Sequence, residues 1–494
     1  MKDSNAIDVN GLSKSIFDNI IDDLLPQITK LCNLSFEAGI FPEGMKIGKI
    51  IPIYKSGSKK ICSNYRPISI LPFLSKILEK LYNSRLYNFL QTYELLNASQ
   101  YGFRKNMSTS QAATDYFETI TDILKSNKAA VSVSLDLTKA FDSLSHKVLL
   151  KKLHHYGIRG VAHTWLKSYL TDRQQTLTLA RGEIHSNYKT ITHGVPQGSV
   201  LGPTLFLIYI NDIINSSNIF KYILFADDTT LIYGFDPSSD PTDDINSGLN
   251  NTQKWLNCNK LALNVNKTQA ILYGKTTHKP VIKINNEPIH FVDQINLLGT
   301  IFDKNLTFKP HIAKICSKAS RALGLLNQSK GLLPKYIKRT IYFSLIHPHL
   351  TQSIELWGGT AKSTINPIIT LQKRAVPIIS NAPYNSQTNL LFKGLKIPKI
   401  NDIYHVQINL LMYKAFHNHL PHNIQRLFAR SQQNRTTRQN ALNLKVSRKS
   451  TKIQNLKPSI FGPYVWNQLN ASVREKNSIH LFKSHLKKLV FSGY

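Results

Sequence analysis

Asp227 and Asp228 stand side by side within Tyr222-Ile-Leu-Phe-Ala-Asp-Asp-Thr-Thr-Leu-Ile-Tyr233, between two apolar runs of strand length. Gly234 closes the second run, so the segment predicts a hairpin with both carboxylates at its tight turn. Burying an unpaired carboxylate is costly, and two neighbours repel as well. The pair therefore needs solvent, basic partners or bound cations, although Asp-Asp is also ordinary turn chemistry. A third carboxylate, Asp136, lies 91 positions earlier, at the end of Ala130-Val-Ser-Val-Ser-Leu-Asp136. Alternation predicts a strand with Val131, Val133 and Leu135 on one face and Ser132, Ser134 and Asp136 on the other. Only folding can bring Asp136 to the hairpin.

The flanking sequence supplies elements that could do so. Apolar spacing predicts helices over residues 11–42, broken or kinked at Pro26, and over 74–90, 110–126, 145–156 and 161–170. Residues 48–55 read as a strand, followed by a basic turn over 56–60. Arg66, Lys76 and Arg104 lie near glycine- or proline-bearing turns; singly they are surface charges, together they could grip a triphosphate. Phe141 and Asp142 follow Asp136, and Asp142 reads as a helix-start residue. In Gly194-Val-Pro-Gln-Gly-Ser-Val-Leu-Gly-Pro203, three glycines and two prolines specify an irregular backbone that can approach a ligand closely, or an ordinary turn before the apolar helix 204–214. Beyond the hairpin, 236–250 read as polar turns, 249–259 as a helix, 270–273 as a strand and 296–303 as a hairpin strand. Residues 311–382 and the last hundred residues read as helical and basic. Residues 435–457 form a cation-rich polar stretch, a linker or backbone-binding loop.

At 494 residues the chain is long enough for two to three domains. Its net charge of +33 is concentrated: residues 301–494 hold 30 Lys/Arg against Asp303, Glu355, Asp402 and Glu475, a net +26. Such a field attracts polyanions, and nucleic acid is the expected partner. No uninterrupted apolar run of about 18 residues predicts a membrane span. The first residues lack the apolar stretch of a secretory signal. Cys32, Cys62, Cys258 and Cys316 show no metal-binding or disulfide spacing, as expected for reduced intracellular thiols.

The motifs, in order, resemble the reverse transcriptases of non-LTR (LINE-type) retrotransposons, in particular the jockey-like group. They are Asn64-Tyr-Arg-Pro-Ile-Ser69, Gln100-Tyr-Gly-Phe-Arg104, Ser134-Leu-Asp-Leu-Thr-Lys-Ala-Phe-Asp142, Gly194-Val-Pro-Gln-Gly-Ser199, Phe225-Ala-Asp-Asp228, Leu263-Asn-Val-Asn-Lys-Thr-Gln269 and Leu298-Gly-Thr300. Each alone is weak; seven in register are specific. The resemblance runs from about residue 30 past Leu371-Gln-Lys-Arg-Ala375, and residues 461–489 resemble the tail of these proteins.

The resemblance implies an α+β right-hand polymerase: an N-terminal helical extension (1–47), fingers and palm with a small antiparallel sheet (48–304), a helical thumb (305–390) and a basic helical C-terminal region (391–494). It implies RNA-directed DNA synthesis on an RNA template, from the 3′-hydroxyl of a DNA primer or target DNA, using deoxynucleoside triphosphates and two Mg2+ ions, with Mn2+ as a substitute. Asp136, Asp227 and the backbone carbonyl of Leu137 would hold metal, with Asp228 in support. Phe141 falls where the family has a steric gate against the 2′-hydroxyl. Gln197 and Gly198 would pack on the template and nascent base pair. Lys267 would act near the leaving pyrophosphate, as general acid or charge stabiliser. Arg66 and Lys76 would contact triphosphate, Arg104 template or phosphate, and Leu298 and Gly299 the primer. No membrane partner is implied, and the expected location is the nucleus and cytoplasmic ribonucleoprotein.

The apurinic-type endonuclease that usually precedes the polymerase in such elements is missing, so the expectation is either a protein that lost that domain or a fragment or gene-model remnant. Ribonuclease H and zinc-knuckle signatures are missing too, and Met45 replaces an expected tryptophan. Two rival readings remain: a catalytically silent, retroelement-derived nucleic-acid-binding protein, and an RNA-templated RNA polymerase or intron maturase. Phe141 and the Phe225-Ala-Asp-Asp228 tetrad speak against an RNA polymerase, and no intron-binding domain is identifiable in residues 390–494.

Overall fold

A computed structural model describes residues 7–179, 184–431, 442–446, 453 and 456–492. Its centre is a four-stranded antiparallel sheet in the order β7 (Lys221–Phe225), β8 (Asp228–Phe235), β3 (Ala129–Leu135), β9 (Gln269–Tyr273). Strand β3 lies between two partners and is covered on both faces. Helix Thr109–Lys125 packs Phe117 and Ile120 on one side with Ala130, Ile232 and Ile271. Val131, Val133 and Leu135 belong to the other core, which also holds the apolar helix Gly202–Ile210. Ser132 is therefore fully buried, not on the polar face its alternation predicts; a strand sandwiched between layers has no solvent side.

A second sheet joins β1 (Ile47–Tyr54) antiparallel to β2 (Tyr65–Ile70) and parallel to β4 (Arg173–Leu179), with β5 (Ile184–His185) and β6 (Lys189–Ile191) at its edge. The helix Ile21–Ala38 docks on helix Gly160–Leu170, and the Trp165 indole N–H donates to Ser35 Oγ at 3.0 Å. Phe17, Ile28 and Phe41, all within the first 47 residues, thus share a core with Leu86, Trp165 and Leu205. Helices Lys309–Gln328 and Lys362–Ser380 pack together, and they share a second core with helices Ile400–Phe416 and Pro458–Asn467 around Trp357 and Trp466.

Three element boundaries differ from the sequence expectation. Pro26 sits inside helix Ile21–Ala38, and the chain breaks earlier, between Lys14–Asp18 and Ile21. A proline in the second turn gives up one backbone bond, which the buried contacts of Ile28, Cys32 and Ser35 outweigh. The polar residues after 241 are not turns but the start of a long helix, Thr242–Cys258. Asp243 and Asp244 complement its positive end, while Ile245 and Leu249 are buried. The apolar helix starts at Gly202 and passes into a 3-10 turn at Asn211–Ser216. Most of residues 435–457 lies outside the described residues; Lys457, at its end, is buried and paired.

Candidate active site

Strands β7 and β8 pair Phe225 with Asp228, leaving Ala226 and Asp227 as the turn. Ala226 takes the left-handed conformation, φ +57°, which costs a residue with a Cβ about 1–2 kcal/mol. The Gln100 motif holds it there. Gln100 Oε1, fully buried, accepts from Ala226 N–H at 3.0 Å and Gly102 N–H at 2.8 Å. Tyr101 N–H donates to the Leu224 carbonyl at 2.8 Å, and Leu224 N–H to the Ser99 carbonyl at 2.9 Å. A Cβ on Gly102 would lie 2.3 Å from the Ala226 nitrogen, so the motif needs glycine to reach the hairpin. This clamp was not foreseen from the sequence; a buried-type glutamine one residue before Tyr-Gly was its only signal.

Asp136 follows β3, one step beyond the Leu135–Thr229 pair, and so is level with Asp228. The segment after Leu261 fixes it from the other side. Asn264 N–H donates to the Asp136 carbonyl at 2.8 Å, Thr138 N–H to the Ala262 carbonyl at 2.8 Å, and Asp136 N–H reaches Thr268 Oγ1 at 3.4 Å. In such a pair Leu137 faces Leu263 without exchanging bonds, leaving its own carbonyl turned away from that segment. The carboxylates feel one another. Burial raises the Asp227 pKa, and Asp136 raises it further, against Lys55 and Arg66. Asp228, exposed as a residue, is pushed up to about 6 by crowding of its carboxyl group, then by Asp227 and Asp136.

The positive charges over the acids come from the β1–β2 hairpin. Arg66 pairs across from Ile53, and Lys55 lies two residues further on the same face. Both lower the Asp227 pKa, and Lys55 that of Asp228. Lys55 went unnoticed in the sequence, because only the register of β1 against β2 places it beside Arg66. Lys76, Arg104 and Lys267 are not among these charges. Lys76 lies in the first turn of helix Phe73–Thr92. Arg104 turns inward, donating to the carbonyls of Asn97 at 2.7 Å and Gln100 at 3.5 Å, and so braces the clamp. Lys267 is exposed at the end of the turn that fixes Asp136. Leu298 and Gly299 form the turn between strands Gln294–Leu297 and Thr300–Asp303, two strands where a single one was expected. Gln352 Nε2 donates to the Leu298 carbonyl at 3.3 Å.

The glycine-proline loop is held between β2 and the segment that follows β3. Ser69 N–H of β2 donates to the Gln197 carbonyl at 2.7 Å, and a Cβ on Gly198 would lie 2.6 Å from the Ser69 carbonyl oxygen. Gln197 Nε2 donates to Asp142 Oδ1 at 2.9 Å. Asp142 is therefore a loop anchor and not a helix-start residue; the helix His146–His155 begins four residues later, behind Ser145. Buried Glu79 accepts the N–H groups of Val200 and Leu201 at 2.7 and 3.1 Å, fixing the loop's exit into helix Gly202–Ile210. Phe141, half-buried, stacks on Phe206 with centroids 4.4 Å apart.

Among the described residues, no three His, Cys, Asp or Glu side chains close tightly enough to hold a metal alone. Carboxylate and carbonyl oxygens nonetheless fit Mg2+, which takes one or two carboxylates and completes its shell with water and substrate phosphates.

A small antiparallel sheet carrying a strand-end aspartate level with an Asp-Asp hairpin is the palm of a nucleic-acid polymerase. The sequence profile described as reverse transcriptase (RNA-dependent DNA polymerase) matches residues 53–302, and the chain belongs to that family. Its α+β right-hand polymerase fold is as expected. It is 28% identical over 407 residues to the RNA-directed DNA polymerase from mobile element jockey of Drosophila melanogaster, covering 79% of this chain and 44% of that protein. It is 29% identical over 392 residues to the probable RNA-directed DNA polymerase from transposon BS of Drosophila melanogaster, covering 75% and 42%. The chain thus spans less than half the length of these curated relatives. Apo telomerase from Candida tropicalis aligns over 80% of this chain and 68% of that one, with TM-score 0.42 and 13% identity. Among the described residues no helix is long and apolar enough to cross a membrane.

Proposed function

We propose that this chain is the polymerase part of a non-LTR retrotransposon protein and extends a DNA primer 3′-hydroxyl on an RNA template with deoxynucleoside triphosphates. The observation that carries the reading is the meeting of Asp136 with Asp227 and Asp228 in one acidic cluster, without an ion pair among the described residues and faced by Lys55 and Arg66. Asp136, Asp227 and the Leu137 carbonyl would hold two Mg2+ ions, or Mn2+. Bound there, the ions would activate the 3′-hydroxyl and stabilise charge on the phosphate. Asp228 supports the pair from the rim. Lys55 and Arg66 neutralise the triphosphate and orient it, Lys76 adds a further contact to it, and Lys267, exposed at its turn, meets the pyrophosphate. Phe141 excludes the 2′-hydroxyl by clash. Gln197 and Gly198, on a loop held to β2 and to Asp142, seat the nascent pair, and Arg104 acts on the template through the clamp it braces.

Primer extension by the purified chain on an RNA template tests this. Extension should require divalent cation and deoxynucleotides, and should vanish in Asp136→Ala. RNA and DNA binding with no incorporation under any metal would instead support a silent binding protein.

A further inference from the structure

Phe103 is the residue of the Gln100 motif that the clamp does not explain. The residue is 52% exposed and belongs to neither hydrophobic core. Its backbone is in the left-handed region, φ +53°, which a bulky side chain disfavours. Folding gains little from an exposed ring held in a strained conformation, and such strain gathers at functional positions. Gly102, pressed against the hairpin turn, fixes where the next residue must go. The Phe103 ring meets Phe141 edge to face, with centroids 6.1 Å apart and planes at 88°. Phe141 is thus held between two rings, stacked on Phe206 and perpendicular to Phe103.

We infer that Phe103 is a positioning residue for sugar selection: it braces Phe141 from the solvent side, so that the Phe141 ring cannot tilt away from an incoming ribonucleotide. The inference rests on the polymerase reading above. A gate that works by clash discriminates only as well as it resists displacement. Phe206 supplies a buried backing, and Phe103 a second contact from an element locked to the carboxylate hairpin. The same clamp that sets Ala226 and Asp227 therefore also sets the gate, coupling metal-site geometry to sugar choice.

The test is the ratio of deoxynucleotide to ribonucleotide incorporation (kcat/KM for each) in wild type, Phe141→Ala, Phe103→Ala and the double variant. Phe103→Ala should lower the ratio by about three- to tenfold, the range of one aromatic pair, chiefly by letting ribonucleotides in and with little loss of deoxynucleotide kcat. Because it acts through Phe141, the double variant should match Phe141→Ala alone. Phe103→Trp should retain most of the ratio. Phe103→Gly relieves the backbone but loses the ring, so it should be as stable as wild type or more so, yet unselective like Phe103→Ala. If Phe103→Ala unfolds, Phe103→Gly and Phe103→Leu carry the same readout. An unchanged ratio in the alanine and glycine variants, or a double variant whose effects add, overturns the inference while wild-type extension leaves the polymerase reading standing. No extension by wild type refutes that reading and the inference with it.

Discussion

Two acidic clusters in this fold are treated in opposite ways. On helix Thr109–Lys125, every acid that faces protein has a partner. Asp115 accepts Lys221 Nζ at 2.6 Å, and Glu118 accepts Lys457 Nζ at 2.9 Å together with the Ser459 N–H and hydroxyl. Asp122 accepts Lys457 at 2.6 Å. At the hairpin, Asp136, Asp227 and Asp228 have no such ion pair among the described residues; they have each other, with Lys55 and Arg66 acting from a different sheet. The first cluster ties palm to C-terminal region across more than 330 residues of chain. The second stores repulsion that a substrate and its cations can relieve. What separates structure from chemistry here is not residue type but whether the fold supplies the counter-charge.

The sharpest way to break this contrast is to neutralise one acid from each cluster. Asp227→Asn should cut primer extension by at least about a thousandfold, some 4 kcal/mol of transition-state stabilisation. Its thermal midpoint should stay level or rise, since burial and Asp136 both disfavour the charge it removes. Glu118→Gln should do the reverse. Both partners are nearly inaccessible, 1% and 5% exposed, so leaving Lys457 short of its counter-charge should cost about 3 kcal/mol in chemical denaturation. Activity per folded molecule should hold. A stable Glu118→Gln, or an Asp227→Asn that unfolds, would erase the distinction.

Helix Lys309–Gln328 offers a third treatment, an ionisable group buried with neither counter-charge nor chemistry. His311 Nδ1 accepts the Ile301 N–H at 3.3 Å, and its other nitrogen has no partner among the described residues. Burial, then Lys314 and Lys318, depress its pKa to about 4 from 6.5. A depressed folded-state pKa means the unfolded chain takes up the proton first. The stability is therefore present above pH 6.5 and lost as pH falls towards 4, by at most about 3 kcal/mol. Denaturant titrations across that window should show the loss in wild type and a flatter profile in His311→Asn. An equal slope in both would move the effect elsewhere.

Much of the molecule is legible in its sequence, and unevenly. The hairpin, the strand ending at Asp136 and the basic C-terminal half follow from periodicity and charge, which are local properties. Arg66 was found by its motif. Lys55, on the same face, was missed because only cross-strand register makes the two neighbours. Asp142 reads as a helix start in sequence, yet its partner Gln197 is 55 positions away. Arg104 reads as an exposed cation and is spent on carbonyls. Each miss concerns where a polar group finds its partner, a tertiary fact on which composition is silent.

Gln100 offers the finest test, because it touches the reactive cluster only through backbone. Gln100→Leu keeps the bulk of the side chain but strands the Ala226 N–H, for about 1–2 kcal/mol. If the clamp merely stabilises, kcat will be unchanged once the folded fraction is accounted for. If it also aims Asp227, kcat should fall by about tenfold or more, since small misplacements of a reacting group are costly, with KM for primer-template little altered. Gln100→Glu retains the acceptor that Ala226 uses but adds a buried charge near three others. It should therefore keep the turn and still lose activity, and recovery at lower pH would show that charge rather than geometry was at fault.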